Sequence, residues 1–561
     1  MKTSDKIGVQ FLVAHLVKND VKTVVCSPGS RNAPLVIALD EHPEINCLVI
    51  HDERVAAFYA LGIIQQTQKP VAVVCTSGSA LLNYFPAVSE AFYQQLPLVI
   101  ISADRPQEWI NHGDGQTIMQ TNVYGKHVIE QFHLKGEGHT DSELWAMNRD
   151  VAFAFEQQRQ KPGPIHLNIS LNEPLYQTVE QVEVEVERLQ TFKLQKGFSE
   201  NALKEIKAGL SLPSKWVLIG QGVKDAALQL LIDQFANDSS VIVFVENISN
   251  MTHPRFIHGI DRWLAAVEDI ETFKPDLIIS LGGAIVSKRI KSVLRSWSDV
   301  KHWQIGEHQQ YQDTFQHLSH VFDMSPLAFF KELSVMDYER NQTNVSGRAK
   351  AIDIKAKDAA KSFMQQAPFS DLVVFDQLLD FMPDGTHLHL ANSSVVRYAQ
   401  LFDPISSFTY WSNRGTSGID GSSSTACGAA WTNQKELHVL ITGDVSFFYD
   451  SNAFWTKYLT GNLRVILINN GGGDIFNIIP GPDQTKQKDQ YFVAKHQTSA
   501  KPICDLYAMD YFSIFNSMEL ENNMAAFYAF SENNRPKLME IYTDGELNAQ
   551  ILNNYFKHLK S

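Results

Sequence analysis

The chain has 561 residues, 44% hydrophobic and 20% charged, with a formal net charge of -14. Such a length predicts three to four domains of ordinary size, and the acidic balance excludes general nucleic-acid binding, which depends on cations that neutralise phosphates. The five cysteines, Cys26, Cys47, Cys75, Cys427 and Cys504, are scattered and form no Cys-x-x-Cys pair, so neither a disulfide framework nor a zinc site is expected.

Short apolar, β-branched runs alternate with helical stretches along the whole chain. Strands are predicted at residues 21–25, 71–75, 98–102, 216–219, 241–245, 277–281, 388–391, 438–442 and 463–468. Runs this apolar are buried on both faces, as in parallel sheets covered by helices. The fold class is therefore α/β, with doubly wound parallel sheets. Two polar stretches, 177–201 (with Val182-Glu183-Val184-Glu185) and 336–368 (Asn341-Gln342-Thr343-Asn344 followed by a Lys/Ala-rich helix), read as linkers. They divide the chain into units at 1–180, 200–336 and 355–561. Residues 1–6 lack the apolar stretch of a signal peptide, and no apolar run reaches membrane-spanning length. A cytoplasmic protein with reduced thiols and no membrane partner is expected. Asn168-Ile169-Ser170 is read as a chance glycosylation triplet.

In the first unit a strand ends at His51-Asp52 and a helix begins at Glu53. Alone, Glu53 is read as a carboxylate favoured by the helix dipole. In the central unit Gly220-Gln221-Gly222 follows a strand, but Asp225 stands where a dinucleotide fingerprint needs glycine. This is read as a strand-end turn.

The third unit carries the most specific pattern. A strand ends at Gly443-Asp444-Val445-Ser446, a helical segment runs to about Leu459, and a second strand ends at Asn469-Asn470-Gly471-Gly472-Gly473. A right-handed βαβ crossover puts both strand ends at one sheet edge, where doubly wound folds bind ligands. Asp444 can offer a carboxylate oxygen, Asn470 an amide oxygen and Gly472 a carbonyl, an oxygen set that suits Mg²⁺ (or Mn²⁺). Gly443 and the N–H groups after Asp444 can receive phosphate. Gly-Asp is also a common turn and cap, and Asn-Asn-Gly a common loop. Both halves at βαβ spacing are far more specific. The pair resembles the thiamine-diphosphate motif, with Val445 where the motif has glycine.

The whole chain resembles the 2-succinyl-5-enolpyruvyl-6-hydroxy-3-cyclohexene-1-carboxylate synthase family. The likeness rests on Ser27-Pro28-Gly29-Ser30-Arg31-Asn32-Ala33-Pro34-Leu35, His51-Asp52-Glu53-Arg54, Thr76-Ser77-Gly78-Ser79-Ala80, Ser102-Ala103-Asp104-Arg105-Pro106 and Ser287-Lys288-Arg289. It rests also on Asn392-Ser393-Ser394-Val395-Val396-Arg397, Ser412-Asn413-Arg414-Gly415-Thr416-Ser417-Gly418-Ile419-Asp420-Gly421 and Asn469–Phe476. The resemblance implies thiamine diphosphate with Mg²⁺ or Mn²⁺, decarboxylation of 2-oxoglutarate, and conjugate addition to isochorismate in menaquinone synthesis. Glu53 then serves the cofactor's N1′, with Arg31 and Gln116 as its catalytic companions.

The family's substrate positions fall on Ser30, Arg31, Arg105, Gln116, Lys288, Arg289, Ser393, Arg397 and Arg414. Both substrates are dicarboxylates, which suit guanidinium forks; singly, each basic residue reads as a surface ion pair. Cofactor positions fall on Ser417, Gly418, Ile419, Gly443, Asp444, Val445, Ser446, Asn470, Gly472, Gly473, Ile475 and Phe476. Asp444, Asn470 and Gly472 are implied as metal ligands. Ile419 matches the residue that props the cofactor into its bent shape, and Ile475, Phe476 and Ile479 form an apolar wall. Family members often carry Asn before Gln116; Gly115 removes that side chain. The resemblance also implies a homodimer or dimer of dimers, with Glu53 and Asp444 of one site on different chains. Two other readings are another thiamine 2-oxoacid lyase, such as an acetolactate synthase-like enzyme, and a metabolite sensor without catalysis.

Overall fold

The computed structural model describes residues 2–180, 184–192, 197–307, 312–479, 481–530 and 533–560. Part of the first polar stretch, including Val182 and Glu183, lies outside the described residues.

Strand β1 (Lys2–Ser4) precedes a sheet of six: β2 (Thr23–Cys26), β3 (Asn46–Val49), β4 (Val71–Cys75), β5 (Leu98–Asp104), β6 (Glu130–Lys135) and β7 (Ile165–Ser170). Their order is β3-β2-β4-β5-β7-β6, and β8 (Thr178–Glu180) pairs antiparallel with β1. A five-stranded sheet follows, made of β9 (Lys215–Ile219), β10 (Val241–Val245), β11 (Leu277–Leu281), β12 (Lys301–Ile305) and β13 (Leu318–Phe322), ordered β10-β9-β11-β12-β13. The last sheet holds β14 (His387–Leu390), β15 (Thr409–Trp411), β16 (His438–Gly443), β17 (Leu463–Asn469), β18 (Asp510–Ile514) and β19 (Lys537–Tyr542), ordered β15-β14-β16-β17-β19-β18. Every pairing within these three sheets is parallel.

The apolar runs form strands because both faces are covered. In the first sheet Val24, Val74 and Ile101 face one core, while Val25, Val73 and Ile100 face another. That second core is continuous with Leu440, Phe447 and Val465 of the last sheet, so the two six-stranded units share apolar interior. Helices Glu53–Thr67 and Ser422–Thr432 bring them together. A Cβ at Gly62 would run into the Thr425 carbonyl, and one at Gly428 into the Tyr59 carbonyl. Glycine lets these two backbones meet closely.

Two expectations change. The helix after Asp444 spans only Asp444–Tyr449, followed by a 3-10 turn Ser451–Phe454, and does not reach Leu459. It stops where Asp450 turns its carboxylate to the N–H and hydroxyl of Ser424, both at 2.8 Å. The stretch 336–368 carries its expected Lys/Ala-rich helix, at Val345–Met364, but that helix is packed rather than a free linker: Val345 and Ala349 are buried, and the Ala349 carbonyl accepts the indole N–H of Trp263.

The glycines of the central crevice bond to the chain itself. Gly220, Gly222 and Gly283 donate their N–H groups to Leu281, Ile248 and Gln221 carbonyls at 2.9, 3.0 and 2.7 Å. No N–H of these three is left to hold a dinucleotide's phosphate, in keeping with the turn read from the sequence.

Candidate active site

The C-terminal ends of β16 and β17 are adjacent, with Gly443 registered against Ile468. Asp444, 2% exposed, sits at the first and Asn470 just beyond the second. Asp444 accepts from the N–H groups of Gly471 and Gly472, each at 2.9 Å, and from Val445 at 2.6 Å. His496 Nε2 lies 3.4 Å from the same carboxylate. Burial pushes the Asp444 carboxyl up, against the pull of His496 and these N–H groups. Because Val445 gives its N–H to Asp444, it is not a free phosphate donor here. Ser446 is likewise engaged, through its hydroxyl, with the Ile419 carbonyl at 2.6 Å.

Asn470 donates its amide nitrogen to Asp371 at 3.1 Å, which leaves its amide oxygen for another partner. Gly472 has φ +153°, and a Cβ there would lie 2.5 Å from the Val493 carbonyl. Only glycine fits this turn. Gly473 donates to Val493 at 2.7 Å. At Gly443, by contrast, a Cβ would meet nothing within 4 Å. A buried carboxylate, an amide oxygen and a backbone carbonyl make the hard oxygen set of an octahedral cation. Among the described residues no group of three or more His, Cys, Asp or Glu could hold a metal alone. The set fits a cation whose remaining positions are filled from outside the protein.

A cavity of about 200 Å³ adjoins this edge. Lys288, Arg289, Arg397, Ile475 and Ile479 line it, with Asp261 and Phe556. The Arg289 guanidinium lies 3.7 Å from the Phe556 ring centre. Glu246, at the end of β10, accepts from Val286 and Ser287 and so places the start of the helix Lys288–Ser296. Burial pushes the Glu246 carboxyl up to about 7. Arg414 donates to Asn392 Oδ1 at 2.6 Å, and Asn392 bonds the carbonyls of Asn413 and Gly418. Burial lowers the pKa of both Arg397 and Arg414. Their buried Nε–H groups have no hydrogen-bond partner among the described residues, as does that of Arg31. Orphaned buried donors are costly, and a carboxylate would satisfy them. Ser417 (φ +62°) and Ser393 (φ +74°, ψ -126°) hold backbone conformations that favour glycine. Strain of this kind gathers at functional sites.

The first unit brings together its own set. The loop after β2 lies on Thr76 just past β4, because Gly29, lacking a Cβ, lets the Thr76 side chain pack against the loop backbone. Ser30 is exposed, and the Arg31 N–H reaches Thr76 Oγ1 at 3.2 Å. The Arg31 guanidinium, 4% exposed, bonds the Leu171 carbonyl and Glu173. Arg105 bonds the Gly115 carbonyl and lies 3.9 Å from Glu173. Gln116 takes φ +55° against Gly78. Glu53 opens the helix Glu53–Thr67 behind the cap Asp52, and Asn83 donates to it at 3.3 Å.

Among the described residues, no hydrogen bond or ion pair joins Glu53, Arg31, Arg105 or Gln116 to Asp444, Asn470, Arg397 or Arg414. The residues lie in two groups within the chain. Sequence reasoning missed several partners: Asp371 and His496 at the diphosphate edge, Glu246 in the central unit, and Glu90. Glu90 sits on the helix Phe85–Gln94 and accepts from Gly415 and Thr416, shaping the loop that carries Arg414. None lies in a short motif; only the fold brings them near.

Three parallel sheets with this oxygen set and these strand ends define a thiamine-diphosphate enzyme. A family profile described as the thiamine pyrophosphate enzyme N-terminal TPP binding domain matches residues 7–124. The fold is similar to that of a benzoylformate decarboxylase from Polynucleobacter necessarius, with TM-score 0.71 at 17% identity over 96% of this chain and 99% of that one. The chain is 43% identical to a 2-succinyl-5-enolpyruvyl-6-hydroxy-3-cyclohexene-1-carboxylate synthase of Flavobacterium johnsoniae, over 96% of both chains. It is 40% identical to that of Christiangramia forsetii over the full length of both, and 36% identical to that of Porphyromonas gingivalis over 99% and 98%. The chain belongs to the 2-succinyl-5-enolpyruvyl-6-hydroxy-3-cyclohexene-1-carboxylate synthase family.

Proposed function

We infer that the protein is a thiamine-diphosphate-dependent transferase that decarboxylates 2-oxoglutarate and adds the remaining four-carbon unit to isochorismate, a carbon–carbon bond step of menaquinone synthesis. The observation that carries this reading is the occurrence of Arg397 and Arg414, with buried Nε–H groups lacking a partner among the described residues, in the same unit as the adjacent strand ends that carry Asp444 and Asn470. Bound thiamine diphosphate supplies the carbon nucleophile and electron sink.

The chain's own residues bind, orient and exclude water. Asp444, Asn470 and Gly472 would hold Mg²⁺ or Mn²⁺, with Gly443 and Gly473 giving the diphosphate close access to the backbone. Glu53 would hold a proton at the cofactor's pyrimidine nitrogen. Arg31, Arg105, Arg397 and Arg414, with Lys288 and Arg289, would clamp the substrate carboxylates bidentately or as point charges. Ile475, Phe476 and Ile479 would keep water from the reacting carbon.

The two groups of residues fit a site shared between chains. One chain's first unit (1–180) would meet another's last unit (355–561), with 200–336 between, in a homodimer or dimer of dimers. The compartment we propose is the cytoplasm; no described helix is long and apolar enough to cross a membrane.

A turnover assay tests the reading. Purified protein with thiamine diphosphate and Mg²⁺ should release carbon dioxide from 2-oxoglutarate and form an adduct only when isochorismate is present. Equal use of pyruvate would move the protein to another thiamine-dependent reaction.

A further inference from the structure

Asp371 opens the helix Asp371–Phe381 and is 1% exposed. A carboxylate at a helix start ordinarily serves the helix's own N–H groups. This one bonds elsewhere. Its Oδ1 accepts from the Thr543 hydroxyl at 2.6 Å and its Oδ2 from the Asn470 amide at 3.1 Å. Its own N–H donates to Asn548 Oδ1 at 2.9 Å, and Asn548 donates to Thr543 Oγ1 at 3.2 Å, which closes a ring. Thr543 follows β19 and Asn470 follows β17, whose last residues Asn469 and Tyr542 are in register.

From this ring we propose that Asp371 is the positioning residue for the cation site: it takes the nitrogen end of the Asn470 amide and thereby aims the oxygen end at the cation. A side-chain amide has one donor end and one acceptor end. A partner that accepts fixes which end is which, and the Asp371 carboxylate, accepting from the Thr543 hydroxyl at one oxygen and from the Asn470 amide at the other, is such a partner. Thr543 and Asn548 hold that carboxylate in place, so the orientation is set before any cation arrives. Partners behind a ligand typically change metal affinity about 10–100-fold when removed. The proposal rests on reading Asn470 as a ligand, and its test separates the two ideas.

The test measures Mn²⁺ affinity of the full-length protein with thiamine diphosphate, from the free Mn²⁺ signal in electron paramagnetic resonance. Asn470→Ala should lose tight binding; if it binds as the unaltered protein does, the ligand reading itself fails. Asp371→Asn should weaken Mn²⁺ about 10–100-fold, since Thr543 holds its oxygen and its new amide nitrogen faces that of Asn470. The double variant Asp371→Asn/Asn470→Asp reverses donor and acceptor and should bind more tightly than either single variant. A merely structural role would not produce that rescue. Should Asp371→Asn fail to fold, Thr543→Val frees one carboxylate oxygen and should weaken Mn²⁺ in the same direction by less. Unaltered affinity in Asp371→Asn or Thr543→Val, or a double variant no tighter than Asn470→Asp alone, would overturn the proposal.

Discussion

The first and last sheets have the same strand order, second–first–third–fourth–sixth–fifth, all parallel, yet their C-terminal edges differ in how much acid they bury. The last unit buries three carboxylates there: Asp371, Asp444 and Asp474 are 1, 2 and 3% exposed. Burial pushes Asp371 up to about 6 and Asp474 up to about 7. Concentrated buried acid is unfavourable unless a cation joins it. The first unit offers the buried Arg31, the half-buried Arg105 and the half-buried Glu53, and its one buried carboxylate at a strand end, Asp104, is bonded by the Arg105 N–H and the Asn168 amide. On the proposed reading, one scaffold would hold the cation and diphosphate, and the other would bind a substrate carboxylate beside Glu53. The central unit has neither; its crevice glycines are bonded internally, and it contributes the Lys288–Arg289 turn instead.

The largest effect should come from breaking the two halves separately. Glu53→Gln is expected to cut turnover about 10²–10⁴-fold, the range for a positioned acid or base. Asp444→Asn should do at least as much, with loss of Mg²⁺ binding. If each site takes Glu53 from one chain and Asp444 from another, mixing the two inactive proteins restores one intact site per mixed dimer. Activity then returns to roughly a quarter of the unaltered level after subunit exchange in a statistical dimer mixture. No recovery despite exchange, shown by mass spectrometry, would place both residues in one chain's site.

Next in size is Arg414, one of the two arginines that the last unit contributes. Arg414→Ala should lower kcat/KM for the dicarboxylate substrates about 10–100-fold, the loss of one charge-assisted hydrogen-bonded contact. Arg414→Lys should recover little, because the fork is lost. Full recovery by lysine would mean that charge alone matters there.

The junction between the two units is a test of stability instead. Gly62→Ala or Gly428→Ala pushes a methyl into the facing helix backbone, and overpacking of this kind costs about 1–3 kcal/mol. Urea unfolding should show it. Gly443→Ala has open space around it and should leave unfolding of the cofactor-free protein unchanged. Its effect should fall on thiamine diphosphate affinity, measured by fluorescence quenching.

How much of this was legible follows from range. All nine apolar runs fall on strands because burial on both faces needs no long-range knowledge; β4 at Val71–Cys75 and β10 at Val241–Val245 coincide with their runs. Weaker strands escaped. Glu130–Lys135 is polar and only partly buried; β3, also partly exposed, was legible as the strand before Glu53, though it ends at Val49 rather than at His51-Asp52. At the site, Asp444 and Asn470 were readable because a βαβ crossover fixes their distance. Glu90, Asp371 and Glu246 were not, since each acts on a loop more than 30 residues away through the packing of whole units. The short helix Asp444–Tyr449 was overextended because its end is set by Ser424, a residue of another helix.

The central unit supplies the smallest expected effect. Glu246 is 1% exposed and holds the Val286–Ser287 turn, with its carboxyl raised from 4.5 to about 7 by burial. A carboxyl raised by folding favours the protonated folded state. Its contribution is complete below about 4.5 and is lost as pH rises through about 7. Glu246→Gln keeps a carbonyl acceptor for the turn but cannot ionise. Thermal melts of the cofactor-free proteins should therefore lie closest together near the acid end. The unaltered protein should fall progressively behind the variant as pH rises from about 5 to about 8. A constant offset across that range would mean that the carboxylate is ionised throughout, with nearby Arg414 compensating its burial. Glu246 would then tie the Lys288–Arg289 turn to Arg414 by charge, and the central unit would share the electrostatics of the last one.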